Sequence, residues 1–184
     1  MRWSAVAVAL LMPVFLGGCA MNRVATYAVS SPTEYTLDTG DIVRVTVYGD
    51  TTLTNTYTVT DKGTLSFPLI GQVQARGQTI TGVEGAITKL LANGYMISPK
   101  VSVEVTTYRP FFIDGAVSKG GQYPYVWGMT ARAAIATAEG YSNYADRTHV
   151  TIYRKVNGGM AKFNAQLDAP VMPGDTVVVG ERWL

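Results

Sequence analysis

Apolar and polar residues alternate over two stretches of the chain. In residues 42–48, Val43, Val45 and Val47 alternate with more polar positions, the period of two that marks a strand with one buried face. Residues 101–106 repeat this alternation. Each stretch therefore predicts a strand that contributes one face to a core.

Tight-turn sequences between apolar runs predict two hairpins. The turns are residues 61–63 (Asp-Lys-Gly) and 157–159 (Asn-Gly-Gly), where glycine or asparagine supplies the left-handed backbone that a hairpin turn needs. Pro68 lies inside one run and indicates a strand end or edge. The runs on either side of the turns are 57–60 with 64–70, and 150–154 with 160–163.

Two helices are predicted, each from a capping residue followed by an apolar face. Thr81 and Glu84 form a capping box for the first helix, and Asn93-Gly94 ends it. Thr130 caps the second, an alanine-rich helix that we expect to end at Gly140. The residues that the first helix is expected to bury against a sheet are Val83, Ala86, Ile87, Leu90 and Leu91.

The second half of the chain repeats this plan of strands around one helix. Strands are predicted over residues 111–117, 123–126 and 171–179, the last of which we expect to close the sheet. Arg109-Pro110 interrupts the pattern, so we place a domain boundary there. The fold class predicted is α+β, with two small domains that each combine a sheet and a helix.

Composition supports a folded chain and argues against a nucleic-acid partner. The chain has 184 residues, of which 47% are hydrophobic and 15% charged, unlike the charge-rich, apolar-poor profile of disorder. The net charge is +2, with lysine and arginine scattered singly along the sequence. A duplex-binding domain needs a clustered basic face, so we expect no nucleic-acid binding.

The start of the chain has the layout of a secretory signal peptide over residues 1–18. Arg2 precedes an apolar run over residues 5–16, which is shorter than the roughly 20 residues that span a membrane. Residues 16–19 (Leu-Gly-Gly-Cys) closely resemble a bacterial lipobox. We therefore expect acylation of Cys19, the single cysteine of the chain, in preference to an unpaired thiol.

A lipid on Cys19 is expected to be the only attachment of the chain to a membrane. Ala20, where an aspartate is absent, favours the outer membrane by analogy with other lipoproteins. Residues 19–34 are polar and include Pro32, so we interpret them as a lipidated tether that precedes the first packed element near Tyr35.

Few residues are available for catalysis or metal binding. His149 is the single histidine, so zinc sites with several histidines are excluded, and we interpret it as a polar side chain rather than a general base. The spacing of Gly115 and Gly120 suggests a phosphate loop, but Gly121 and Gln122 follow where lysine and serine or threonine are required. We therefore expect no catalytic residue, no metal and no cofactor.

Two pairs of acidic residues, Asp38 with Asp41 and Asp168 with Asp175, lie in or beside turns. Paired carboxylates hydrolyse glycosides when they flank a cleft, whereas turn aspartates cap the backbone, and we favour capping. The Gly-Asp-x-Val sequence at Asp41 recurs at Asp175. We attribute this echo to turn chemistry in preference to an internal duplication.

An aromatic stripe offers the strongest candidate for a binding surface. Tyr123, Tyr125 and Trp127 alternate, so a strand would project all three from one face. Such a stripe, together with nearby Lys119, could contact a glycan or a protein partner. It could equally be core, and we favour core packing for Trp127.

Several motifs in one order resemble a known family. Residues 35–49, 63–71 and 99–105 (YTLDTGDIVRVTVYG, GTLSFPLIG and PKVSVEV) resemble the polysaccharide export domain of Wza-type capsule and exopolysaccharide export lipoproteins. Residues 109–112, 115–117, 121–125, 128–130 and 173–183 resemble the β-grasp module called SLBB, which follows that domain in the family. The resemblance implies an export domain over residues 35–108 and an SLBB domain over residues 109–184.

Three positions depart from the family pattern. Asp114 stands where an apolar residue is usual, Gly120 where proline is common, and Glu139 where a glycine usually precedes Gly140. These departures bear on local loop geometry. Long members of the family continue into further modules and an amphipathic helix, whereas this sequence ends at Leu184.

The resemblance implies a function without bond chemistry. We expect a lipid-anchored, non-enzymatic protein at the outer membrane, facing the periplasm, that handles a polysaccharide and assembles with copies of itself into a ring or conduit. Its expected partners are an inner-membrane polysaccharide co-polymerase, which regulates chain length, and a separate outer-membrane barrel. A monomeric saccharide-binding envelope lipoprotein is the alternative, and a glycan hydrolase using Asp168 and Asp175 is a third hypothesis.

Overall fold

The computed structural model describes residues 34–156 and 158–182. The predicted signal peptide, the lipidation site at Cys19 and the tether up to residue 33 lie outside the described residues. The described chain combines helices with several sheets, which confirms the α+β class. In chain order its elements are β1 (Ile42–Val47), β2 (Asp50–Thr58), β3 (Thr64–Phe67), β4 (Gly71–Gln74), α1 (Ile80–Ala92), β5 (Val101–Thr107), β6 (Phe111–Gly115), β7 (Gly121–Tyr123), α2 (Ala131–Thr137), β8 (His149–Val156), β9 (Gly159–Gln166) and β10 (Thr176–Val179).

The first half is built on an antiparallel sheet with strand order β2-β1-β5. The alternating residues Val43, Val45 and Val47 are buried, as predicted for β1. The valines at the start of β5 point into the same core. Helix α1 packs against β5 and contributes Val83, Ile87 and Leu91 to this core.

The N-cap of helix α1 is Thr79, two residues before the predicted cap at Thr81. The Thr79 hydroxyl accepts a hydrogen bond from the Gly82 amide at 3.1 Å, so the cap assigned to Thr81 is wrong. The Glu84 carboxylate instead accepts a bond from the Val103 amide of β5 at 3.3 Å. Leu90 is 38% exposed and Leu91 is fully buried, so the prediction of Leu90 in the core is also wrong.

The hairpin predicted around residues 61–63 is wrong, because the strands before and after this turn do not pair with each other. Gly63 does adopt a left-handed turn at φ +81°, and β3 ends before Pro68 as predicted. Strand β2, however, follows β1 after the Tyr48-Gly49 turn and pairs with it along its length. Strand β3 pairs with β4 in a separate two-stranded sheet. The turn therefore carries the chain from one sheet to another.

The second half forms a five-stranded sheet with the order β7-β6-β10-β8-β9. Strand β10 lies at its centre, parallel to β6 and antiparallel to β8, so the expectation that it closes the sheet is wrong. The predicted strand over residues 123–126 is also wrong beyond Tyr123, which ends β7. The hairpin of β8 and β9 is confirmed, with Val156 opposite Gly159.

Helix α2 covers this second sheet. Thr130 caps it, as predicted, through a 3.3 Å bond from the Ala133 amide. The helix ends at Thr137, and Gly140, at φ +87°, turns the chain just beyond that end. Ala131, Ala134 and Ile135 are buried against the sheet.

The buried apolar residues form one cluster in each half. The first runs from Tyr35 to Val103 and the second from Phe111 to Val179. Tyr108 packs against both clusters, so the joint between the halves is formed by the residues that follow β5. Within residues 34–156 and 158–182, neither helix is long and apolar enough to cross a membrane.

Candidate functional site

The turn that leads into β1 holds a buried carboxylate. Asp41 is completely buried, and its Oδ2 accepts bonds from the Asp38 amide at 2.8 Å and from the Tyr35 hydroxyl at 2.5 Å. A carboxylate removed from water is stable only when its oxygens are fully hydrogen-bonded. The turn itself supplies only some of these hydrogen bonds, such as the one from the Asp38 amide.

Arg109 supplies the rest from beyond β5. Its backbone N–H donates to Asp41 Oδ1 at 2.9 Å, and its Nη1 donates to Asp41 Oδ2 at 3.1 Å. The same Nη1 donates to the Tyr35 hydroxyl at 2.7 Å. The three side chains therefore form a closed network that connects the entry of β1 to the segment between the two clusters.

The second Gly-Asp turn repeats this chemistry with a different arginine. Arg154 donates from Nε and Nη2 to the two oxygens of the buried Asp175, at 2.8 and 2.6 Å, and the Met172 amide adds a 2.7 Å bond. Burial raises the pKa of the Asp175 carboxyl above its usual value, while the bonds from Arg154 act in the opposite direction. Each turn aspartate caps the amide three residues before it and also binds an arginine.

Arg109 also packs against the second turn. A Cβ placed on Gly174 would lie 2.9 Å from Arg109 Nε, and the Gly174 amide donates to the Pro110 carbonyl at 3.0 Å. Glycine is favoured at this position because its φ of +82° strains other residues, and a side chain here would also press on the guanidinium. One arginine thus contacts both Gly-Asp turns.

An aromatic cluster lies beside this network. The Tyr35 ring meets Tyr108 and Trp127 edge-on, at centroid distances of 5.0 and 5.5 Å, and Tyr108 stacks on Trp127 at 5.9 Å. Tyr125 meets Tyr108 edge-on at 5.6 Å. Burial raises the pKa of Tyr35, to which the hydrogen bond with Asp41 adds, and burial also raises the pKa values of Tyr108 and Tyr125.

The structure separates the residues predicted as one aromatic stripe. Tyr125 is in the core at 7% exposure and Trp127 is 44% exposed, so the expectation of core packing for Trp127 is wrong. Tyr123 stacks on the buried Phe111 and donates its hydroxyl to the Lys119 carbonyl at 2.8 Å. Tyr123, Tyr125 and Trp127 do not share one strand face, because β7 ends at Tyr123.

Lys119 is exposed and its ammonium contacts the Glu139 carboxylate at 2.6 Å. The pKa of Lys119 is raised by its hydrogen bond to Glu139. The structure thus joins Tyr123 to Lys119 by the hydrogen bond from the tyrosine hydroxyl to the Lys119 carbonyl. Tyr125 and Trp127 belong instead to the aromatic cluster around Tyr108.

The other candidate residues are held by local contacts. Asp38 pairs with Arg76 at 3.1 Å, and Asp168 pairs with Arg132 at 3.3 Å. His149 is exposed and its Nδ1 lies 2.8 Å from Thr148 Oγ1. In the described ranges, no group of three or more histidine, cysteine, aspartate or glutamate residues is placed to hold a metal ion.

Sequence reasoning missed the arginines that bind the two buried aspartates. The available signal was the repeated Gly-Asp-x-Val sequence, which marked both turns. It did not indicate partners, because Arg109 and Arg154 lie 68 and 21 residues from their carboxylates. Chemically, the network fixes the joint, and Trp127 presents an aromatic surface to solvent beside it.

Comparison with known proteins identifies the first half. Residues 29–106 match the family described as polysaccharide biosynthesis/export protein. The matched segment, which is less than half of the chain, is similar to that family. The match confirms the resemblance found in the export-domain motifs, and it includes Tyr35, Asp41, α1 and almost all of β5. Arg109 and Trp127 lie beyond the matched segment of this export domain.

A curated relative supports the same assignment. The exopolysaccharide production protein ExoF of Rhizobium meliloti (strain 1021) is 35% identical over 86 residues. The aligned segment covers 46% of this chain and 20% of the relative. Most of ExoF therefore lies outside the aligned segment.

Proposed function

We propose that this protein is a component of an exopolysaccharide or capsule export machine in the bacterial envelope. The observation that carries the proposal is the family match over residues 29–106. The similarity to ExoF, whose name refers to exopolysaccharide production, points to the same class of polymer. The protein's role in the proposal is guidance of the polymer, without bond chemistry.

The second half is proposed to be an SLBB domain with the β-grasp fold, joined to the export domain at residue 109. Its sheet has a central parallel pair, β6 and β10, with α2 packed on the sheet. This arrangement supports the β-grasp assignment suggested by the sequence motifs. The network of Tyr35, Asp41 and Arg109 then fixes the orientation of one domain against the other.

The anchor is proposed to be a lipid on Cys19, in the outer membrane, with both domains in the periplasm. The support is the Leu-Gly-Gly-Cys sequence with Ala20 after it. Substitution of Cys19 by serine should abolish acylation, because the hydroxyl cannot replace the thiol as acceptor of the lipid. Labelling with a radioactive fatty acid and membrane fractionation test this directly, and normal labelling of the variant would overturn the anchor.

The assembly is proposed to be a ring or conduit of identical subunits. Two unlike sheet edges support it: β2 is outermost in the first sheet and β9 in the second. A head-to-tail contact between unlike surfaces closes into a ring when the rotation permits, and open strand edges are common association surfaces. The proposed partners are an inner-membrane polysaccharide co-polymerase and a separate outer-membrane barrel, as the family resemblance implies.

Deletion of the gene tests the proposed function. The amount of polysaccharide released by the cells should fall to background and should return on expression of the wild-type chain. Complementation with Arg109→Ala should fail or be weak, because the joint is lost, whereas Arg132→Ala, which removes an exposed ion pair, should complement. Normal release from the deletion strain would overturn the proposal.

A monomeric saccharide-binding lipoprotein is the second candidate, and the exposure of Trp127 favours it. An indole face at 44% exposure, stacked on Tyr108, suits stacking on a sugar ring. Mass measurement of the protein at high concentration separates the two candidates, since a monomer that loses glycan binding on Trp127→Ala would favour the second. Tyr125→Ala is unsuitable here because Tyr125 is core.

A further inference from the structure

A cavity in the second half is lined by two arginines that form no ion pair within the described residues. It has a volume of about 500 Å³ and is lined by Ala145, Asp146, Arg147, Thr148, Glu181 and Arg182. It forms where residue 145 bridges residue 181, with the Arg182 amide bonded to the Tyr144 carbonyl at 2.7 Å. The volume is within the range of about 300–1,000 Å³ typical of small-molecule sites.

Arg147 and Arg182, like Arg44, differ from the four other described arginines, each of which binds a carboxylate. Those four are Arg76, Arg109, Arg132 and Arg154, whereas Arg147 and Arg182 form no ion pair with residues 34–156 or 158–182. The Arg147 guanidinium lies 5.3 Å from the centre of the Tyr141 ring. This cation–π contact holds the guanidinium without neutralising its charge.

The two acidic residues of the cavity are not equivalent. Asp146 Oδ1 accepts bonds from the amide and hydroxyl of Thr148, at 2.8 and 2.6 Å, and its Oδ2 lies 3.0 Å from His149 Nδ1. Both oxygens of Asp146 are therefore engaged within the loop. Glu181 is exposed and is the acidic group that would oppose an incoming anion. The cavity lining thus contains two arginines, and of its two acidic residues only Glu181 has a carboxylate that forms no ion pair or hydrogen bond within residues 34–156 and 158–182.

We propose that this cavity binds a carboxylated sugar residue of the exported polysaccharide. The proposal rests on the proposed function in export and adds the class of polymer, one that contains uronic acid or a similar acidic sugar. A guanidinium matches a carboxylate through two parallel hydrogen bonds. Tyr144, exposed beside the cavity, offers an aromatic face to the sugar ring.

Calorimetric titration of the full chain, purified from membranes in detergent, tests the proposal. The probes are a short oligogalacturonate and the same oligosaccharide with its carboxylates reduced to alcohols. Binding should be at least roughly tenfold tighter for the acidic probe, since hydrogen bonds between charged groups contribute that much. Equal affinity for both probes, or no binding of the acidic probe, would overturn it.

Substitutions in the cavity give opposite expected effects. Arg147→Gln and Arg182→Gln should each weaken binding of oligogalacturonate about tenfold, and Glu181→Gln should strengthen it. Recognition of sugar hydroxyls alone would instead make Glu181→Gln weaken binding, which would contradict the carboxylate assignment. Tyr141→Phe keeps the ring under Arg147 and should leave the affinity unchanged.

One control tests whether a variant loses binding because it misfolds. A second comparison tests whether the cavity assignment or the export function itself has failed. Arg132→Gln, at an arginine already paired with Asp168, should bind as the wild type does, and all variants should keep the wild-type melting temperature. If deletion of the gene blocks release of polysaccharide but the chain does not bind oligogalacturonate, the cavity assignment is wrong and the export function stands. If the deletion has no effect on release, the export function itself is wrong.

Discussion

Arg109 binds the buried carboxylate of Asp41 twice, from its backbone N–H at 2.9 Å and from Nη1 at 3.1 Å. The same side chain lies against Gly174 in the second half of the molecule. One residue between the two hydrophobic clusters therefore contacts the turn that starts β1 and the turn that starts β10.

Arg109→Ala should lower the free energy of unfolding by about 3 kcal/mol or more, because removal of one partner leaves a buried charge with too few bonds. Urea unfolding measures this. Arg132→Ala is the matched control, since its ion pair with Asp168 is exposed and such pairs contribute less than about 1 kcal/mol. Similar losses for the two variants would show that the buried network is not what stabilises the joint.

Two neighbouring leucines of α1 should respond differently to the same substitution. Leu91→Asp places a charge in the first core, where Leu91 is fully buried, and should cost several kcal/mol. Leu90→Asp changes a residue that is 38% exposed, and should cost roughly 1 kcal/mol or less. Thermal melting of both variants checks this, and a larger loss for Leu90→Asp would contradict the orientation of α1.

Local patterns predicted those elements whose signal lies within a few residues. The valine alternation identified β1 and β5, the Asn-Gly-Gly turn identified the β8 and β9 hairpin, and Thr130 marked the start of α2. Most of strand β2, up to residue 56, was not predicted, because it is rich in threonine and its one buried side chain, Leu53, gives no alternation. The position of Leu90 was wrong because the sequence does not show how wide a face the sheet covers.

Stability should fall at alkaline pH through Tyr35. Burial and the bond to Asp41 raise the pKa of Tyr35 above its usual value of 10.0, so above about pH 10 the unfolded chain loses a proton that the folded chain keeps. The unfolded state then binds fewer protons, and the free energy of unfolding falls as pH rises, by up to about 1.4 kcal/mol per pH unit.

Tyr35→Phe should remove this component of the slope. Urea unfolding between roughly pH 9 and 11 measures it, and the variant should also be less stable at neutral pH by about 1–3 kcal/mol, because Asp41 loses a donor. Tyr48→Phe, at an exposed tyrosine, is the control and should keep the wild-type slope. A Tyr35→Phe slope equal to that of the wild type would exclude the mechanism.

Glu139→Gly should stabilise the protein by about 0.5–1 kcal/mol. Glu139 has φ +63°, a left-handed backbone that costs other residues about 1 kcal/mol or more and suits glycine. The Lys119 contact that the variant loses is exposed and contributes less than that. Glu139→Gln keeps a side chain at this φ and controls for the lost charge, so a gain in melting temperature for Glu139→Gln as large as for Glu139→Gly would contradict the backbone explanation.

The joint between the halves was beyond sequence reasoning for a physical reason. The sequence indicates a break in the strand pattern at Arg109-Pro110 and a repeated Gly-Asp turn. No local pattern, however, connects Arg109 with Asp41, which lies 68 residues away. Trp127 was expected in the core because large aromatic residues usually are. Trp127 instead stacks on Tyr108, a partly buried residue that packs against both clusters, and stays 44% exposed.

We propose that the protein acts in export of a polysaccharide and not in its synthesis. The direct measurement is the ratio of polysaccharide retained within the envelope to polysaccharide released, after a pulse of labelled sugar, in cells that lack the gene. Export predicts that labelled polymer is still made and that the retained share rises at the expense of the released share. A fall in total labelled polymer with an unchanged ratio, or release at the wild-type rate, would contradict it.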